Sequence, residues 1–119
     1  MLQIRQGDVL LVRIDEDPAH FLEARKHDLH DVPRERGRLV LAHGEVTGHA
    51  HVVESEEASL VSEEQAQELF LLVHGTESVA LVHEEHETLD VPPGAYRVVR
   101  QREYHDPDEW DEDWDFVAD

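Results

Sequence analysis

His49 and His51, two residues apart in GHAH, and His83 and His86, which bracket two glutamates in HEEH, have the types and spacing that suit a metal ion. On a strand, His49 and His51 would leave the same face, because side chains alternate with a period of two. Two imidazoles could then reach one ion, and a turn at Glu84 and Glu85 would bring His83 and His86 inward beside them. Neutral imidazole suits several divalent metals, and three or four converging rings with a carboxylate satisfy tetrahedral or octahedral coordination. Glu54, three residues beyond His51, is a candidate carboxylate ligand, although strand parity sends it to the opposite face unless a bulge intervenes. The expected cofactor is thus a divalent transition metal (Zn, Fe, Ni or Mn), held by His49, His51, His83 and His86 with Glu54 as a further candidate.

A chain with ten histidines will show such spacings by chance, so their setting carries the argument. From Leu39 to Tyr96 there is no Lys or Arg, yet this stretch holds His43, His49, His51, His74, His83 and His86. A cation arriving there meets no fixed competing charge. Crowding by carboxylates supports another reading, in which raised imidazole pKa values sense mild acidity. No cysteine is present, which removes disulfides, thiolate metal sites and thiol catalysis. The serines sit in no nucleophile-elbow context.

Asp plus Glu number 29 against 10 Lys plus Arg, a formal charge of −19 that repels nucleic acid phosphates and anionic lipid. Neither nucleic acid nor membrane is an expected partner. Charged residues at Arg5, Asp8 and Arg13 break any apolar leader, and no stretch reaches the ~20 apolar residues of a spanning helix, so the expected location is the cytoplasm.

The elements that would position these histidines are short strands. GDVLLVRID reads as a buried strand, Pro18 permits a short helix or a lid-like loop through AHFLEARKHD, and DVPRERG is a polar loop. Arg38 to His43, Val46 to Glu54, ASLVS, SVALVHEEH, ETLDV and AYRVVRQREY read as further strands. Ser62 to Gly75 fits either a capped helix or a hairpin ending in the apolar ELFLLV, and the hairpin is preferred. Seven or eight such strands predict a mainly β fold, a small antiparallel β-barrel or jelly roll over residues 1–104. Residues 105–119 predict an acidic helix with Asp106 as N-cap, Pro107 at its first position, and Trp110, Trp114 and Val117 along one stripe.

HAHVVE resembles a compressed form of the first cupin motif, in which two histidines spaced HxH precede a glutamate inside a small barrel, and PPGAYR resembles part of the second. The resemblance spans roughly Gly44 to Val98 and implies a double-stranded β-helix with a metal at its centre. His51 and Glu54 are closer in sequence than in cupins, and Arg97 stands where the second motif has its histidine, so His83 or His86 would have to supply the fourth ligand. QGDVLL, GEVTGHAH, HEEH and PPGAYRVVRQREY together also resemble a group of short bacterial proteins, which implies that the histidine phrases belong together. The competing reading is a non-catalytic acidic interaction module. In it Trp110 and Trp114 would grip a protein partner or a second copy of the chain, rather than dock on the chain's own barrel.

Overall fold

The computed structural model describes residues 2–44 and 49–100. The predicted C-terminal helix, with Trp110 and Trp114, lies outside the described residues, as does the start of the predicted strand at Val46 to Gly48.

The chain opens with a hairpin of β1 (Gln3–Gln6) and β2 (Val9–Ile14), in which Gln6 pairs with Val9 across a two-residue loop. Gly7 takes the first central position with φ +59°, the primed pattern that matches the twist of the flanking strands. Helix α1 (Pro18–Ala24) follows, the helical one of the two readings of this segment. Pro18 begins it, and the Asp17 carboxylate accepts from the amides of Ala19 and His20 at 3.1 and 3.2 Å.

Next come β3 (Leu29–Asp31), β4 (Leu39–His43), β5 (Ala50–Val53), β6 (Ala58–Glu63) and β7 (Glu68–Val73). The chain ends its described part with β8 (Val79–Leu81), β9 (Leu89–Val91) and β10 (Gly94–Arg100). All strand pairings are antiparallel. One sheet runs β1-β2-β10-β7-β6-β3, while β4-β5 and β8-β9 form two-stranded ladders. A bridge between Val52 and Val82, with reciprocal amide-to-carbonyl bonds of 2.9 Å, ties these two ladders together.

The main core lies between the large sheet and these ladders: Val9, Leu11, Leu60, Leu71, Val73 and Tyr96 meet Leu39, Leu41, Val53, Val79, Leu81 and Val91. The opposite face of the large sheet is also covered. Phe21 of α1 packs on Phe70 with ring centroids 4.8 Å apart, above Val61, Leu72 and Ala95. Burial on both faces explains why ELFLLV reads as an unbroken apolar run and not as an alternating one. Ser62 to Gly75 resolves accordingly into a hairpin, with Glu63 paired to Glu68. The expected mainly β, antiparallel fold is what the chain forms, and the one short helix of the described part is α1. The ladder order of the large sheet ends at β1 and β3, which do not pair with each other.

Candidate metal centre

β5 places His51 on the same side as Val53, facing the core, and only 1% of its surface is exposed. β8 continues through the Val82 bridge to His83, which shares the inward parity of Leu81 and is 8% exposed. The strand expected to run through HEEH stops at Leu81, and a bend at 84–86 follows. That bend carries His86 back over His83. Because β5 and β8 are neighbours through the bridge, histidines more than 30 residues apart in sequence share one end of the two-layer core.

His83 is central to the group. Its ring centroid lies 4.3 Å from His51, 4.7 Å from His86 and 5.9 Å from His49, the last edge-on. His51 and His86 are stacked at 6.0 Å. The ligand atoms of His49, His83 and Glu84 all lie within 4.8 Å of one another, the group among the described residues best disposed to share an ion. Glu84 is fixed by the amide of Ala50, which donates to its Oε1 at 3.0 Å, and this bond holds the Glu84 carboxyl below its ordinary pKa. Glu85 approaches His49 Nδ1 at 3.7 Å.

The expected residues therefore divide. His49, His51, His83 and His86 come together, whereas Glu54 is exposed just beyond β5 and falls outside the group, as its strand parity foretold. Its backbone carbonyl instead accepts from Arg34 at 3.4 Å. Glu84 is instead the carboxylate that lies beside the imidazoles, although the sequence offered it only as a turn residue. Two other neighbours escaped sequence reasoning: Gln6, which is 2% exposed, and Asp8. Gln6 precedes the β1–β2 turn and Asp8 lies in it, and both contact His51, Gln6 through Oε1 at 2.9 Å to Nδ1 and Asp8 through Oδ1 at 3.1 Å to Nε2. Only the glycine of QGD hinted at a tight turn there, and nothing in its spacing linked it to residue 51.

Hydrogen bonding restricts the ring chemistry. The Glu85 amide donates to His83 Nδ1 at 3.0 Å, so a neutral His83 carries its proton on Nε2. A metal would bind His83 only by displacing that bond or moving that proton. The net loss of about 1 kcal/mol for one hydrogen bond is small beside the ~10 kcal/mol or more of a well-built zinc site.

Burial pushes the His51 imidazole below its ordinary pKa, aided by repulsion from His83 and His86 and opposed by Asp8. This direction is opposite to the one expected from carboxylate crowding. In metal-free protein, an unfolded His51 gains a proton below its ordinary value of ~6.5 that the folded one refuses. The stability His51 contributes is therefore present above about pH 6.5 and is lost as pH falls through its lower folded value. Urea midpoints of chelated protein should be lower at pH 5.5 than at 7.5, with a smaller difference in His51→Gln. Equal pH dependence in both proteins would contradict this role for His51.

An open groove of about 540 Å³ lies elsewhere, lined by Arg13, Asp15, His74 and Gly94 among others, and includes none of the clustered histidines. His74 is engaged there with the Ser59 hydroxyl at 3.0 Å. No helix among the described residues is long and apolar enough to cross a membrane.

Residues 5–101 match a protein-family model described as a domain of unknown function, DUF8820. The chain belongs to the DUF8820 family. The match takes in Gln6, Asp8 and all four clustered histidines, and it stops short of the tryptophan-bearing tail. None of the curated proteins and none of the solved structures gave a match.

Proposed function

We propose that this member of the DUF8820 family binds a divalent transition metal through His49, His83 and Glu84, with His51 and His86 packed against that centre. The observation that carries the reading is the convergence of two imidazoles and a carboxylate, from segments separated by more than 30 residues, within 4.8 Å. Exposed acidic groups alone often gather without a metal. Here a buried imidazole is at the middle, and the carboxylate is held in place by the Ala50 amide. Imidazole and carboxylate donors suit Zn, Fe, Ni and Mn.

Three protein donors leave coordination positions for water or a small oxygen-bearing molecule, the arrangement of catalytic and not of closed structural sites. A bound metal there would supply Lewis acidity. The same reading takes the fold as a cupin-like roll, supported by antiparallel layers that enclose the core and by imidazoles pointing inward at one end. The test is a titration of chelator-treated full-length protein with each of the four metals, followed by calorimetry. Saturable binding near one equivalent or above, for at least one metal, is expected. Heats no larger than those of dilution with all four would refute the proposal.

A further inference from the structure

The contacts around His51 go beyond the His49, His83 and Glu84 centre. We propose that Asp8 and the Nε2 atom of His51 jointly hold a divalent cation, with Gln6 as the positioning residue that turns the His51 lone pair toward it. This rests on the metal-binding reading above and adds to it a ligand pair and the residue that orients it.

The Gln6 amide has only one workable orientation. Its Nε2 donates to the carbonyls of Leu81 and Glu87, both at 2.9 Å, which uses both amide hydrogens. Its Oε1 must then accept, and the donor within reach is His51 Nδ1–H at 2.9 Å. With the proton fixed on Nδ1, a neutral His51 presents a lone pair at Nε2. That lone pair faces the Asp8 carboxylate at 3.1 Å. Two electron-rich atoms do not sit so close without a cation to reconcile them.

A proton could serve, but it would place an imidazolium at 1% exposure with the His83 ring 4.3 Å away and His86 beyond it. A divalent metal answers the same need by bonding to both donors. Ligands held ~2.0–2.2 Å from one ion, at angles from square to tetrahedral, stand ~2.8–3.6 Å apart, and the observed 3.1 Å falls within that range. The Nδ1–H bond to an amide oxygen is also the kind of outer contact that fixes the tautomer of a metal-bound histidine.

The turn itself is shaped for this approach. A side chain at Gly7 would come within 2.6 Å of His86 Nε2 and 3.3 Å of His51 Cε1, so only glycine lets the turn carry Asp8 up against these rings. The exposed His86 is the adjacent imidazole from which a further donor can come.

The test is a cobalt(II) titration of chelator-treated full-length protein, read by calorimetry and by the visible d–d bands, for wild type, Asp8→Asn, Gln6→Met and Glu84→Gln. Asp8→Asn should weaken cobalt binding by roughly 100-fold and change the d–d bands, while Gln6→Met should weaken it by roughly 10-fold. In Gln6→Met, the ¹⁵N shifts of His51 in metal-free protein should move toward the Nε2–H tautomer, which simple loss of packing would not produce. Wild-type affinity and bands in Asp8→Asn would overturn this proposal. If Glu84→Gln weakened binding in that event, the metal-binding reading would survive. No cobalt binding by wild type would overturn both.

Discussion

Replacing both His49 and His83 with Ala should lower metal affinity by at least about 100-fold while leaving the β-sheet circular dichroism in place. In the proposed three-residue centre the two imidazoles are the nitrogen donors, and their loss would leave Glu84, a single exposed carboxylate, as its remaining donor. The fold should tolerate the change. His49 precedes β5 and is only half-buried, and His83 follows β8, so neither replacement removes a ladder hydrogen bond. His83→Ala does leave the Glu85 amide without its acceptor, but that amide sits on an exposed bend where water can replace it. Competition against a chromogenic chelator would measure the affinity. Wild-type affinity in the double variant would place the bound metal elsewhere in the chain.

Leu71→Ala should cost about 2–5 kcal/mol of folding stability, a large share of the 5–15 kcal/mol typical of a domain this size. Leu71 is fully buried in the middle strand pairings of the large sheet, opposite Tyr96 on one side and Leu60 on the other. Its side chain faces the core shared with Leu41, Val53 and Leu81. Truncation leaves a cavity between two layers whose backbones are fixed by hydrogen bonds, so little collapse can compensate. Urea unfolding should show a lower midpoint with an unchanged slope. The exposed Leu2 provides the contrast: Leu2→Ala should stay within about 0.5 kcal/mol of wild type. Similar losses from the two substitutions would contradict a core lying between the large sheet and the β4-β5 and β8-β9 ladders.

The parts legible in the sequence are those whose signal is local. Val9 to Ile14 and Ala58 to Glu63 announce themselves as apolar runs bounded by turn residues, Glu68 to Val73 is legible as the preferred of two readings, and Pro18 permits α1. The four histidines of the cluster were also legible, because each pair lies within a few residues. Strand β1 was not: Gln3 to Gln6 is polar and largely exposed, and it becomes a strand by pairing with β2 at the edge of the sheet. Gln6 and Asp8 were hidden for the same reason, since a contact between residues 6 and 51 is made by sheet topology and leaves no periodicity behind. Glu54 and Glu84 show the complementary lesson. Glu54 is a candidate only if a bulge intervenes after His51, and the ordinary alternation of the strand carries it away from the core, while a bend brings Glu84 to the histidines instead.

The most direct measurement of the central claim is the elemental content, by plasma mass spectrometry, of untagged full-length protein purified without chelator, beside the His49→Ala/His83→Ala variant prepared in the same way. About one equivalent or more of a transition metal in the wild type, and about one equivalent less in the variant, is the predicted result. Wild-type protein that is metal-free as purified and takes up no added Zn, Ni, Mn or Fe would contradict the account.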